Sequence, residues 1–368
     1  MSMTTVHRLY NFSAGPAVLP LPVLEEIQRD LIALPGVGMS ILEISHRSKT
    51  FESILAQAEA DIRALAGIPA DYRVLFLQGG ASTQFSMVPM NLLGAGQTAD
   101  YIDTGSWADK AIKEARKVGA VNVAATTKAD NYTRIPVQSE LRLTKDAAYV
   151  HITANNTIEG TQYTQLPDVG GAPLVNDTSS EMFSRPIDVA RHGLIYAGAQ
   201  KNLGPAGLTI VIVRDDLLER SVGKKATLPT MLNYAVHAEN SSLYNTPPAF
   251  AVYVVGLVMK WLLGQGGLQA IGAINARKAG KLYAEIDRTG FYRGTAHNDS
   301  RSLMNVTFRL ATEELEKQFV KESTSAGLDG LKGHRAVGGM RASIYNAFPE
   351  EGVDALVAFM QDFEKKNG

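Results

Sequence analysis

Short apolar runs separated by amphipathic stretches set the rhythm of this chain. Near its start the spacing is helical, with Val23, Ile27 and Leu31 each four apart behind Pro22, a residue suited to a first helical turn. Pro35-Gly36-Val37-Gly38 breaks that helix. A second helix carries Phe51, Ile54, Leu55, Ala58, Ile62 and Leu65 on one face, and Gly67 ends it. The pattern then changes to apolar runs at Val74–Leu77, Val121–Val123, Tyr149–Ile152, Pro173–Val175, Leu194–Tyr196 and Leu208–Val213. Runs without alternation belong to strands covered on both faces. Helical segments between them, such as Trp107–Val118, predict a mostly parallel α/β sheet with helices on both faces. Farther on, helices from about Ala249 and over Leu268–Arg288 lead to strands at Leu303–Leu310 and Arg341–Tyr345, with helices at Thr312–Ala326 and Val353–Lys365. These predict a smaller α+β C-terminal domain. The expected division is a large domain over 16–260, with 1–15 and 261–368 forming the small one.

Composition narrows the function. The 368 residues carry a formal net charge of −1, without long Lys/Arg blocks, so there is no footprint for nucleic acid or anionic lipid. The absence of cysteine excludes disulfides, thiolate nucleophiles, cysteine-ligated zinc and iron–sulfur clusters. No metal site is expected. Residues Met1–Arg8 lack the apolar stretch of a secretory signal, and the longest apolar run, Ala249–Leu263, is interrupted by Lys260 and too short for a membrane span. A soluble cytoplasmic protein is the expectation.

Four polar clusters fall at the ends of predicted elements, where open α/β sheets bind ligands. Gln78-Gly79-Gly80-Ala81-Ser82-Thr83-Gln84 follows a strand and opens a helix, which offers free N–H groups and hydroxyls to an anion. The same residues also suit an ordinary strand-to-helix turn, and no Gly-Lys-Ser/Thr follows to make a Walker A loop. Asn176-Asp177-Thr178-Ser179-Ser180 puts an acid at the end of a buried strand, as a base, a ring-nitrogen partner or simply a helix cap. In Gly198-Ala199-Gln200-Lys201-Asn202-Leu203-Gly204 a lysine sits inside a glycine-rich turn between two buried strands. Burial there lowers its pKa, as an amine nucleophile requires, although most loop lysines are solvated. An anion cradle, an acid and a lysine in that order are what pyridoxal phosphate (PLP) needs: a phosphate holder, a partner for the pyridine nitrogen, and an amine for the Schiff base. The fourth cluster, Gly333-His334-Arg335-Ala336-Val337-Gly338-Gly339-Met340-Arg341, has an early counterpart in Ser45-His46-Arg47. Arginine forks suit carboxylates and phosphates, and they equally suit structural ion pairs.

With Asn11-Phe12-Ser13-Ala14-Gly15-Pro16 and Ala342-Ser343-Ile344-Tyr345-Asn346 added, the chain resembles, from about residue 10 to its C-terminus, the phosphoserine aminotransferase family. The resemblance implies a fold-type-I, class V PLP transferase with a seven-stranded sheet, homodimeric, with active sites at the subunit interface. It implies amino transfer between glutamate and 3-phosphohydroxypyruvate in serine biosynthesis, and use of the four-carbon analogue on the vitamin B6 route. Carried onto this sequence, Lys201 is the Schiff-base lysine, Asp177 the pyridine-nitrogen partner and Trp107 the residue stacked on the ring. Thr157 faces the cofactor's phenolic oxygen; Ala81, Ser82 and Gln200 contact its phosphate, and Asn245 and Thr246 reach it from the other subunit. Arg47 and Arg341 bind substrate carboxylate. His46, His334 and Arg335 meet the substrate's distal anion, the latter two from the partner chain. Where some members carry a further arginine in the glycine turn, this chain has Gly79-Gly80-Ala81-Ser82. The competing readings are an alanine–glyoxylate or serine–pyruvate aminotransferase, and a non-catalytic phosphate-binding α/β protein. The duplicated His-Arg pairs argue against the first.

Overall fold

The computed structural model describes residues 8–368; residues 1–7, which include most of the segment read as lacking a signal and part of the expected small domain, lie outside the described residues. Helix α1 (Leu21–Asp30) begins with Pro22 in its first turn and buries Val23. It stops one residue before Leu31, which is exposed rather than part of the apolar stripe. Helix α2 (Lys49–Ala66) is bounded as the sequence predicts. Ser48 Oγ accepts the Phe51 N–H at its start, and Gly67 takes a left-handed φ of 59° at its end.

The main sheet has seven strands: β1 (Tyr72–Leu77), β2 (Thr98–Asp103), β3 (Ala120–Thr126), β4 (Val150–Thr153), β5 (Leu174–Asp177), β6 (Leu194–Gly198) and β7 (Thr209–Arg214). Their spatial order is β1-β7-β6-β5-β4-β2-β3. All neighbours are parallel except β7, which runs antiparallel to both β1 and β6. Six of these strands coincide with the apolar runs. The seventh, β2, is hidden in the sequence because Asp100 and Asp103 interrupt its apolarity. Asp100 is nonetheless fully buried, since Thr144 and Asn122 supply three donors to its carboxylate. Helices α3 (Gly80–Leu92) and α4 (Ser106–Ala115) connect the first strands.

A long apolar helix, α5 (Ala249–Gly264), packs on α2 and one sheet face in a single buried cluster with Phe51, Ile62, Phe76 and Val255. Helix α6 (Gly267–Ile286) gives Leu268 and Ile271 to that cluster and Ala279, Leu282 and Ile286 to another. The second cluster joins the three-stranded sheet β8 (Arg293–Gly294), β9 (Asn305–Arg309) and β10 (Met340–Ser343) to helices α7 (Glu313–Ser325) and α8 (Glu350–Asn367). Phe12 enters it too, because Tyr10–Asn11 pairs in parallel with Leu328–Asp329. Among the described residues no single helix is long and apolar enough to cross a membrane.

Candidate active site

The carboxyl ends of β1, β2, β4, β5 and β6 open into one cleft of about 430 Å3. Gly79, Gly80, Ala81, Ser82, Trp107, Thr157, Asp177, Gln200 and Lys201 line it together, residues spread over more than a hundred positions of sequence. Another hollow, of about 480 Å3 around Tyr163, Asn176 and His192, contains neither the lysine nor the glycine turn.

Lys201 follows β6 and is only 9% exposed. Its Nζ donates to Thr157 Oγ1 at 2.6 Å and lies 5.7 Å from the centre of the Trp107 ring. Burial pulls the amine down to about 8; Asp177 opposes that pull and Arg341 adds to it. Asp177 ends β5 at 4% exposure, and its Oδ1 accepts both the Ser179 N–H (3.0 Å) and the Ser179 hydroxyl (2.6 Å). Burial raises its pKa, with the Ser179 bonds and Lys201 working the other way. Gly79 precedes α3 with a φ of 95°, where a Cβ would stand 2.1 Å from Thr83 Oγ1. No side chain caps α3, so the first-turn N–H groups at Ala81 and Ser82 remain available to an anion.

Trp107 lies in the first turn of α4, half-buried, with its Nε1 unpartnered. The helix cannot be capped by its own N-cap residue, Gly105. Instead Glu159 Oε1 accepts the Ser106 N–H at 2.8 Å and the Ser106 hydroxyl at 2.6 Å. A Cβ on Gly105 would collide with Asn156 Oδ1 (2.5 Å) and Glu159 Oε2 (2.7 Å). The turn Asn155–Gly160 thus fixes the tryptophan's helix and also presents Thr157 to Lys201.

Arg341, on β10, reaches the same turn: its Nη1 donates to the Thr157 carbonyl at 3.3 Å, and its Nε has no partner. The loop before it is pinched by the Gly333 N–H bond to the Gly339 carbonyl, 2.8 Å. His334 and Arg335 lie within that loop and do not line their own chain's cleft. His334 is held below its usual pKa by partial burial, then by Arg341, Arg335 and Lys110. His46 is half-buried with an unpartnered Nε2, Arg47 is exposed, and neither lines the cleft. Asn245 and Thr246 do not line it either, although the Thr246 carbonyl accepts a bond from Gln78 Nε2 at 3.2 Å.

Sequence reasoning missed Thr153, Asn155, Glu159 and Lys110. Thr153 lines the cleft with a buried, unpartnered hydroxyl. Its signal was strand alternation, two residues beyond His151 on β4. Glu159 and Lys110 carry no local signal.

The aminotransferase class-V family matches residues 9–356. A phosphoserine aminotransferase of Desulfatibacillum aliphaticivorans is 57% identical over 364 residues, covering 98% of this chain and 99% of that protein. The chain belongs to the phosphoserine aminotransferase family. Among solved structures, the phosphoserine aminotransferase of Bacillus circulans subsp. alkalophilus superposes with a TM-score of 0.95 at 54% identity, covering 98% of this chain and 99% of that one. The PLP-bound phosphoserine aminotransferase of Trichomonas vaginalis gives 0.92 at 40% identity, with 96% and 100% covered. As a family member the chain is a PLP-dependent transaminase, and its cleft suits that cofactor. A desolvated amine, a buried carboxylate, an uncapped helix start and the orphaned Thr153 hydroxyl all face one space.

Proposed function

We propose that this enzyme transfers the amino group between glutamate and 3-phosphohydroxypyruvate, giving O-phosphoserine and 2-oxoglutarate. Serine biosynthesis in the cytoplasm is its setting, and the four-carbon phosphorylated analogue of vitamin B6 biosynthesis is a second substrate. One observation carries the reading: Lys201 Nζ is desolvated and hydrogen-bonded to Thr157 in the cleft that also holds Asp177, with the unpaired Arg341 bonded to the same turn. PLP, when bound, supplies an electron sink for the substrate's Cα.

The chain's own residues do the rest. Lys201 would hold the cofactor through its aldehyde carbon, and its neutral amine would take up and return the proton at the substrate's Cα. Asp177 keeps the pyridine nitrogen protonated, its carboxylate oriented by Ser179. Trp107 would cover the cofactor's ring and exclude water, and Thr157 would donate toward its phenolic oxygen. Ala81, Ser82 and Gln200 hold the phosphate. Arg341 takes the α-carboxylate, while His334 and Arg335 meet the distal phosphate or carboxylate from the partner chain. In a homodimer, Asn245 and Thr246, which stand off their own cleft, reach the cofactor's phosphate in the neighbouring one, while Arg47 joins Arg341 at the substrate's carboxylate and His46 meets its distal anion. The large unit of 16–260 and the small unit of 1–15 and 261–368 meet along α6, whose two halves serve different cores.

Lys201→Ala tests the assignment. Turnover and the visible absorbance of the lysine-bound cofactor should both vanish, and transamination at the wild-type rate would refute it.

A further inference from the structure

Lys278 lies on α6 and is completely buried. Its Nζ donates to three main-chain carbonyls, those of Ile344 at 3.0 Å, Tyr345 at 2.8 Å and Phe348 at 3.1 Å. Only the ammonium form has three N–H donors to give, so this set of contacts belongs to a buried charge. Burial pulls the amine's pKa down, Glu350 opposes that pull and Arg277 adds to it. An apolar side chain of similar length would fill the space without that cost, so what the lysine adds is its grip on the turn. Three residues earlier on the same helix, Asn275 Nδ2 donates to Asn346 Oδ1 at 2.8 Å and grips the turn again. The turn so held meets both segments that flank the reactive amine. The Tyr345 hydroxyl donates to the Ala14 carbonyl at 2.7 Å, and the next two residues, Gly15 and Pro16, line the cleft. Gly15 lies against the lysine, since a Cβ there would stand 3.4 Å from Lys201 Cγ. On the other side, the Asn346 N–H donates to Asn202 Oδ1 at 3.0 Å, one residue past Lys201. Lys278 itself does not line the cleft.

We propose that Lys278 is a positioning residue for the reaction: its ammonium holds the Ile344–Phe348 turn so that Ala14–Pro16 and Asn202 close against Lys201 and keep its amine dry. The proposal rests on Lys201 being the amine that takes the cofactor. Lys278 acts only through the turn. With its charge removed, three buried carbonyls lose their donor, and the turn gains freedom to draw away from α6. The Tyr345 and Asn346 contacts would then slacken, water would reach Lys201, and its pKa would climb back toward that of a solvated lysine.

The test uses the full-length protein stripped of cofactor, as wild type, Lys278→Met and Tyr345→Phe. Lys201 is labelled with an amine-selective acylating reagent across a pH series, and its peptide is quantified by mass spectrometry. Wild-type labelling should rise with a midpoint near 8. Lys278→Met should move that midpoint up by about one pH unit, which slows labelling about tenfold at pH 7. Tyr345→Phe keeps Lys278 and its three carbonyls, cuts the bond to Ala14, and should move the midpoint the same way by about half as much. A lower urea midpoint in Lys278→Met with Lys201 labelling unchanged would show a contact that only stabilises, and would overturn the proposal. Should Lys278→Met fail to fold, an unshifted midpoint in Tyr345→Phe would overturn it equally, because the turn would then have no hold on the amine. Turnover surviving in Lys201→Ala would instead defeat the cofactor assignment beneath it.

Discussion

At the scale of single residues, desolvation is the effect that makes this site reactive. A lysine in water is protonated at neutral pH, and burial brings Lys201 down to about 8 despite the nearby Asp177. A lowered lysine pKa means the neutral amine gains population as pH rises. Cofactor capture by the apoprotein should therefore accelerate with pH and level off above a midpoint near 8, followed by visible absorbance. A midpoint near the ordinary lysine value of about 10.4 would show a solvated amine. By linkage, the same shift makes the unfolded chain bind more protons between the two pKa values, so the apoprotein gains stability as pH rises across that window. Lys201 and Asp177 were legible in sequence because each ends a run that must be buried. Glu159 and Lys110 were not, because their partners Ser106 and Trp107 come from an element about fifty residues away in one case and share an ordinary amphipathic helix in the other.

At the scale of elements, boundaries follow local chemistry where a cap or a glycine is present, as Ser48 and Gly67 show for α2. Helix α4 differs, since its start is secured from a distant turn. Glu159→Ala should remove that cap, lower stability by about 1–2 kcal/mol in urea titration, and alter the near-ultraviolet dichroism of Trp107. Glu159→Gln keeps an acceptor oxygen and should recover part of both. Unchanged dichroism in Glu159→Ala would mean that the carboxylate does not hold the tryptophan. Strand β2 makes the complementary point. Its aspartates look like loop residues until Thr144 and Asn122 are seen to satisfy Asp100, and those donors come from other parts of the fold.

At the scale of the whole molecule, Asn346 ties the two hydrophobic clusters together next to the site. Its Nδ2 donates to the Phe183 carbonyl at 2.9 Å, its Oδ1 accepts from Asn275 at 2.8 Å, and its N–H reaches the side chain of Asn202, beside Lys201, at 3.0 Å. Asn346→Ala should strand buried polar groups, costing about 2–4 kcal/mol in denaturant titration and weakening cofactor retention with it. Wild-type stability would show that the contact is dispensable. Sequence alone determined the class of fold and most of its long elements, and it marked Gly79–Ser82, Asp177 and Lys201 as candidates, because each rests on local periodicity or on a residue type that burial makes costly. Tertiary structure decided the antiparallel placing of β7, the capping of α4 by Glu159, and the bond of Arg341 to the turn that carries Thr157. Those depend on which distant segments meet, and spacing along a chain carries no record of that.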